Sequence, residues 1–525
     1  MNQVRHIFSK DARQFWGEII LSLAITAAFV CIGSYLWLGE EDAHAQMLRL
    51  LASLLVLLVP VGWWVIIARA VHAERLVGDT QFWITRPYAW ESLLGAKLLY
   101  LLVFLYVPLF IAQCLLLIEA GFPPQLHLAG LLFNFLRLTA ILVLPLIAIA
   151  TVTSSFARMT LTLLGIFIAF IALAAFAAFL SNNQPSTPSS QVGGRICLAI
   201  AFMGFAAAIV LQYAMRRVWL ARGVLLALPV LMLATLYCAS KYDQAQVDRN
   251  YAVTQGAAPL HLAYDPDPHS TSTSSVQGSA RAMIPVDFRL AETGVGEGYA
   301  AIPDAIRARI TAPDGSHWES SWQTMGGYDF LPGESHFTPS FSIPMALYNR
   351  FRSKPLNVHL DFAVTQVQAG RTTTLALPQQ RFSVPDFGVC SGQTGWAQLW
   401  GQMTGIHCVS AVYEPPLTYV STHWSDAACS ATQGGDPEIL GTAWVGSLDH
   451  EPAQIGISPV VEANVMLSNS EILNTPGGKP RYLCPGTPIT FTRYNAIGST
   501  QVSLDIQGFT LPELKVEGNQ FSITQ

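Results

Sequence analysis

The sequence has few charged residues and none of the common catalytic or nucleotide-binding motifs. Charged residues make up only 12% of its 525 residues, and the formal net charge is −5. The patterns GxxxxGK[ST], HExxH and GxSxG are absent, so the chain has neither a P-loop nor a familiar hydrolase centre. Its histidines are scattered without metal-ligand spacing. The sequence also lacks the continuous basic stripe that would indicate a nucleic-acid partner. We therefore expect no enzyme activity, metal or cofactor.

The few charges are divided unequally between two halves. Residues 1–241 hold 15 Lys and Arg against 9 Asp and Glu, whereas residues 242–525 hold 14 against 25. The first half also contains seven charge-free runs near the roughly 20 residues that cross a bilayer. One such run could be a buried core helix, but seven in succession predict a polytopic α-helical membrane domain. The runs are 19–39, 50–68, 98–118, 138–157, 159–180, 196–215 and 223–240.

The loops between these runs predict the orientation. Eleven basic residues fall in the alternate loops that include the N-terminus and residues 69–97, and the opposite loops hold three together with the acidic residues 39–43. The positive-inside rule then places the N-terminus in the cytoplasm. Because seven is an odd number, we expect everything after residue 241 to lie outside. The predicted location is the plasma membrane, the inner membrane in a bacterium.

The cysteines are distributed in a way that agrees with this topology. Cys31, Cys114, Cys197 and Cys238 lie in apolar runs, where a thiol behaves as a small hydrophobic group. The other four lie in the acidic half, where an even number outside the cell predicts two disulfides of open connectivity. A metal site is the alternative, but no CxxC spacing supports it. The four candidates are Cys390, Cys408, Cys429 and Cys484.

Patterning divides the second half into a linker and a β domain. Residues 242–282 include a stretch rich in Ser and Thr and form the predicted linker. Residues 283–525 consist of short segments of alternating polarity, such as "LNVHLDFAVTQV", separated by turn residues. This pattern is typical of an antiparallel sandwich. We therefore expect a helical transmembrane domain over 1–241 followed by an extracytoplasmic, mostly-β domain.

Two features of the helical half leave alternatives open. Residues 4–16 place apolar and basic residues at helical spacing, which suits either a helix on the inner membrane face or an extension of the first span. The fourth run is expected to begin near His127, which places Arg137 within or beside it. An intramembrane charge is a candidate functional residue, but its side chain could also snorkel to the interface, and we favour snorkelling.

One predicted cytoplasmic segment stands out for its rings and polar residues. Residues 78–97 read "GDTQFWITRPYAWESLLGAK" and contain Trp83, Tyr88 and Trp90. Pro87 suits the first turn of a helix that continues into the third span. The simplest interpretation is an interfacial helix with an aromatic belt. The alternative is a docking element for a partner that supplies energy.

This stretch resembles the ABC-2-type permease family, the membrane subunits of ABC exporters. The resemblance covers about residues 1–240, and the matching positions are Gly78, Thr80, Thr85, Arg86, Pro87, Leu93, Leu94 and Lys97. It implies a helical bundle that pairs with a second permease subunit and rests on a separate ATPase. It also implies that the segment 72–97 couples to the ATPase through Thr80, Trp83, Thr85, Arg86, Pro87, Trp90 and Lys97.

The chain departs from the family pattern in two respects. It has seven predicted spans where six are usual, and its β domain has no counterpart in the pattern. A second interpretation therefore stays open, in which the chain is a membrane-anchored scaffold or sensor whose β domain binds a ligand outside. An envelope enzyme is the third interpretation, which the missing motifs disfavour.

Overall fold

The structure is a computed structural model of the chain. The chain divides into two compact units. Unit 1 comprises residues 1–168, 193–236 and 373–491, and unit 2 comprises 169–192, 237–372 and 492–525. The described residues are 2–37, 43–73, 89–181, 191–251, 259–265, 276–277, 283–325, 336–376, 381–396, 403–423, 440–448, 456–467, 486, 488–511, 513–517 and 520–524.

Helices account for nearly all described residues up to position 251. They are α1 (Asn2–Gln14), α2 (Trp16–Ile32), α3 (Ala43–His72), α4 (Trp90–Leu101), α5 (Val107–Glu119), α6 (Leu128–Leu138), α7 (Leu144–Val152), α8 (Phe156–Ser181), α9 (Gln191–Val210) and α10 (Val218–Tyr251). Three π turns continue α4, α6 and α9, at Leu102–Tyr106, Thr139–Val143 and Leu211–Met215.

The predicted number of spans is confirmed. Among the described residues, seven helical segments are long and apolar enough to cross a membrane. The fourth begins at Leu128, next to His127 as predicted, and contains Arg137. The segments are Trp16–Leu36, Met47–His72, Trp90–Glu119, Leu128–Val152, Phe156–Leu173, Gly193–Met215 and Val218–Tyr251.

Prolines explain two of the three π turns. A proline has no N–H for the carbonyl four residues earlier, so the preceding turn loses one helical hydrogen bond. The π turn Leu102–Tyr106 lies just before Pro108, and Thr139–Val143 lies just before Pro145. Wider turns of this kind often occur at functional sites.

The helices of unit 1 pack around large apolar side chains. Phe29, Trp63, Ile66 and Tyr100 are almost completely buried in this cluster. Many apolar side chains point away from it, among them Leu132, which is 64% exposed. A helix that is apolar on its outer as well as its inner face is typical of a bilayer environment. The architecture is that of a polytopic membrane protein.

Unit 1 also contains β strands from the second half of the chain. Strands β11 (Phe382–Val384), β12 (Gly388–Trp396), β13 (Met403–Ala411) and β16 (Val460–Leu467) form an antiparallel sheet in that order. Strands β14 (Thr418–His423) and β15 (Leu440–Val445) pair with each other. Opposed positions on β12 and β13 hold the disulfide Cys390–Cys408. A mostly-β second half is thus confirmed.

Unit 2 has its own core between antiparallel strands. β5 (Tyr299–Thr311) pairs along most of its length with β10 (Leu356–Ala376), and Asp304 of β5 forms a bulge opposite Ala363 and Val364. Phe288, Phe341 and Phe362 are buried in the core. The remaining elements are β1 (His261–Tyr264), β2 (Val276–Gln277), β3 (Met283–Asp287), β4 (Leu290–Thr293), β6 (His317–Glu319), β7 (Gln323–Thr324), β8 (His336–Phe337), β9 (Ser340–Pro344), α11 (Met345–Phe351), β17 (Pro488–Phe509), β18 (Glu513–Glu517) and β19 (Gln520–Thr524). The ends of β10 and β17 fall in unit 1.

The last turns of α10 pack on the strands of unit 2. Gln244 exchanges two hydrogen bonds with the backbone of Trp322, at 2.7 and 3.1 Å. Asp248 accepts a bond from the Trp322 indole at 3.0 Å and pairs with Arg307 at 3.2 Å. Tyr251 packs beside Trp322 in a small apolar cluster. Residues 242–251, expected in the linker, therefore belong to a helix that is fastened to the sheet.

A half-buried carboxyl group makes the stability of unit 2 depend on pH. Burial raises the pKa of Glu292, on β4, to about 7 from its ordinary value of 4.5. A carboxyl group with a raised pKa stabilises the folded state at pH values below its ordinary pKa. This contribution is lost as the pH rises through about 7. We expect Glu292→Gln to leave unit 2 unchanged at pH 4.5 and to stabilise it at pH 8. The gain is about 1–2 kcal/mol after allowance for solvent screening of the partly exposed group.

Hydrogen exchange of the β1 and β4 amides in the full-length protein measures this effect. Wild type and variant are compared at the same pH, so that the intrinsic exchange rate cancels. Equal protection at pH 8 would contradict the prediction.

Candidate functional sites in unit 1

Most of the predicted ATPase-coupling residues lie outside the described residues. These are Thr80, Trp83, Thr85, Arg86 and Pro87. The structure does describe the two that follow. Trp90 begins α4 with 37% of its surface exposed, whereas Lys97, two turns later, is buried.

Lys97 is buried because it forms an ion pair with the N-terminal helix. Its Nζ lies 2.6 Å from Oδ2 of Asp11 on α1, and Asp11 is completely buried. The other carboxylate oxygen of Asp11 has no hydrogen-bond partner among the described residues. Removing Lys97 would leave the buried Asp11 carboxylate without this counter-charge in an apolar setting. We call this contact the α1–α4 clamp.

Apolar contacts complete the α1–α4 clamp. The ring of Phe8 stacks on Phe104 at 5.7 Å between ring centroids and meets Tyr100 edge-on at 6.4 Å. Val4 lies beside Gly95, where an added Cβ would be 4.0 Å from its side chain, an ordinary van der Waals contact. The helix breaks at Phe15 (φ −112°, ψ 25°) before α2 begins. Residues 2–14 are therefore a separate amphipathic helix and not an extension of the first span.

A small cavity borders the clamp. It encloses about 170 Å³, and apart from Lys97 and Tyr213 its walls are aliphatic side chains from α3, α4, α7 and α9. Its walls offer few polar partners to a water molecule and suit an apolar guest.

A second contact joins the helices to the β strands of unit 1. The Gln113 side chain on α5 donates to the carbonyl of Ile457 at 3.0 Å. The Asn134 side chain on α6 donates to the carbonyl of Gly456 at 2.9 Å. Both amides are buried, so each hydrogen bond removes a large desolvation penalty. We call this contact the β seat.

The apolar part of the β seat requires a glycine. A Cβ atom added at Gly130 would lie 2.5 Å from Val412 and 2.6 Å from Tyr413, so only glycine allows this approach. Leu117 and Leu131 form a buried cluster with Val412 beside it. Five helical positions thus hold two loops of the β region.

The other predicted site residues have the following places. Arg137 is half-buried one turn beyond Asn134, with its guanidinium 5.6 Å from the centroid of the Phe133 ring. The predicted disulfide framework is confirmed for Cys390 and Cys408. Cys429 and Cys484 lie outside the described residues. No group of three metal-ligating side chains occurs in the part of the chain that the structure describes.

The spans next to the β seat also contact each other in their middle. The Tyr106 hydroxyl on the first π turn lies 2.6 Å from the Thr139 hydroxyl on the second. Thr139 Oγ1 also donates to the carbonyl of Phe135 at 2.7 Å, and the same carbonyl accepts the backbone N–H of Thr139. The clamp, the π turns and the seat therefore all involve the span Trp90–Glu119.

The sequence analysis did not identify Asp11, Gln113 or Asn134 as contact residues. A signal for Asp11 was present, because it continues the apolar spacing of Val4, Ile7 and Phe8 and is the acid on that face. The partners of Gln113 and Asn134 are more than 300 residues away. No local pattern encodes such a contact.

Comparison with known proteins does not name a relative. No protein-family model matches the chain, and a search of curated proteins also finds no match.

Replacing Lys97 tests the α1–α4 clamp. We expect Lys97→Met to destabilise the helical region by about 3–5 kcal/mol, because the buried Asp11 carboxylate loses its counter-charge. The double variant Asp11→Leu/Lys97→Met should recover most of that loss. The measurement is the unfolding temperature of the full-length protein, monitored as the loss of the folded peak in size-exclusion chromatography after heating. Lys10→Met, at an exposed position of the same helix, is the control. A single variant as stable as the double one would contradict a buried ion pair.

Adding one methyl group at Gly130 tests the β seat. We expect Gly130→Ala to cost about 1–3 kcal/mol, because Val412 and Tyr413 must move away. The matched control is Gly165→Ala, where a Cβ would meet nothing within 4 Å; this change should be neutral or slightly stabilising. The readout is the rate of proteolysis within residues 389–467 of the full-length protein. Equal rates in the two variants would refute the close approach.

Proposed function

We propose that the chain is the membrane-spanning permease subunit of an ABC transporter, of exporter type, coupled to a separate ATPase through residues 72–97. The observation that carries the proposal is the α1–α4 clamp. Lys97, which closes the family-like stretch, is bonded to Asp11 of the amphipathic helix at 2.6 Å. A displacement of the segment before α4 would therefore move α1 and the third span together.

The proposed orientation has two supports. If all seven segments cross the membrane, the two ends of the helical region lie on opposite sides, and the basic residues favour a cytoplasmic N-terminus. The residues between the third and fourth spans would then lie outside. A Cβ added at Gly121 in that loop would lie 3.5 Å from the side chain of Val389, next to the Cys390–Cys408 disulfide. A disulfide suits an oxidising compartment.

Two spans supply apolar surface for a second permease subunit. Only 6% of the apolar window is buried in Phe156–Leu173, and likewise in Val218–Tyr251, compared with 56% in Leu128–Val152. Whether the partner is a second copy or a related subunit, these two spans are the proposed interface. Lipid covers whatever part of them the partner does not.

Co-purification tests the coupling. Tagged wild-type protein from native membranes should retain an ATPase in stoichiometric amount. Arg86→Ala/Trp90→Ala should reduce the retained ATPase activity at least tenfold, because it removes a cation and an exposed ring from the proposed docking segment. Trp219→Ala is the control, since Trp219 is 83% exposed at the start of α10. Absence of an ATPase with the wild type would refute the permease proposal.

A sensor or scaffold is the second candidate function, and the β seat favours it. A β region held on two spans by buried hydrogen bonds could report a ligand to the helices without any transport. In that case the purified wild type carries no ATPase, and Gly130→Ala alters signalling instead of transport. The co-purification experiment separates the two candidates.

A further inference from the structure

A groove runs along the exposed side of the α1–α4 clamp. It has a volume of about 740 Å³ and is lined by Arg5, Ser9, Ala12 and Arg13 of α1, with Trp16 of α2 and Leu99 of α4 among the other walls. Neither Asp nor Glu lines it. The groove therefore combines two permanent cations with an apolar floor.

The clamp fixes the direction in which these cations point. The buried Asp11–Lys97 pair and the packing of Phe8 hold one face of α1 against α4. Arg5, Ser9 and Arg13 recur at four-residue intervals, so they form one row along the other side of the helix. The two guanidinium groups are attached roughly 12 Å apart along the axis, at 1.5 Å per residue. A rigid helix thus presents two cations at a set spacing.

We propose that this groove binds one anionic phospholipid, with the phosphate between Arg5 and Arg13 and a hydrocarbon chain along Phe8, Leu99 and Trp16. Guanidinium groups suit phosphate because they donate two parallel hydrogen bonds. The tryptophan lies where α1 meets the first span, a position that rings favour at the membrane interface. The site rests on the membrane placement proposed above but requires no ATPase.

The charge pattern favours a lipid over an acidic protein surface as the occupant. An acidic protein partner would meet the cations but would leave Leu99 and Trp16 in contact with water, since the floor of the groove has few polar groups. An amphiphile satisfies both parts at once. A zwitterionic lipid would place a second cation near two guanidinium groups and should bind more weakly.

Native mass spectrometry of the full-length protein tests the site. Wild type is titrated with phosphatidylglycerol and, separately, with phosphatidylcholine. We expect tighter binding of phosphatidylglycerol at one saturable site, and a loss of about tenfold or more in Arg5→Gln/Arg13→Gln. Lys10→Gln removes a charge from the same helix outside the groove and should change the affinity less than threefold. Inorganic phosphate at the same concentration should not compete.

Three results would overturn the proposal. They are equal binding of the two lipids, equal loss in Lys10→Gln and the double variant, and a double variant that keeps its lipid but loses a co-purifying ATPase. The last result would assign the groove to the protein partner. If the double variant does not fold, Ala12→Glu introduces a carboxylate into the groove while keeping both arginines, and it should weaken phosphatidylglycerol binding equally. Failure of the ATPase proposal alone leaves the lipid preference intact.

Discussion

Burying a polar side chain among the apolar helices costs free energy unless a partner inside the chain compensates it, and the two sites of unit 1 are where distant segments supply such partners. Backbone carbonyls of the β region accept hydrogen bonds from Gln113 and Asn134 at 3.0 and 2.9 Å. The charge of Lys97 is balanced by Asp11. These side chains are buried, so water does not readily replace such a partner when it leaves. Each contact is therefore costly to break, and each ties a distant segment to one span.

One span carries both contacts. Lys97 and Gln113 lie in Trp90–Glu119, roughly 24 Å apart along the helix axis at 1.5 Å per residue. The π turn Leu102–Tyr106 lies between them and is held to its neighbour through Thr139. A displacement of α1 would exert a force on one end of this span, and a displacement of the β region would exert a force on the other end. This arrangement suits a bundle that alternates between two states, each with its own set of contacts.

Local sequence patterns predicted the secondary-structure elements but did not predict the long-range contacts between them. Seven apolar runs predicted seven spans, because the length and polarity of a span are local properties. The end of α10 was expected near residue 241, where the apolar run stops; the helix continues because Gln244 and Asp248 bond to Trp322. Four cysteines predicted disulfides, but only the facing register of β12 and β13 shows that Cys390 joins Cys408. Gln113 resembled an ordinary polar residue in a span until the structure placed Ile457 beside it.

A designed disulfide tests the β seat most directly. A Cβ at Gly130 would lie 3.0 Å from the Cβ of Val412, and a disulfide needs 3.5–4.5 Å. Val412→Cys removes the nearer Val412 methyl group, and a small outward shift that also moves the Tyr413 ring away from the new Cβ brings the pair into range. In native membranes, the pair Gly130→Cys/Val412→Cys should cross-link on mild oxidation and give one linked peptide in mass spectrometry. Gly165→Cys/Val412→Cys should not. A folded double variant whose Cys390–Cys408 bond is intact, but whose two new thiols stay free, would contradict the account.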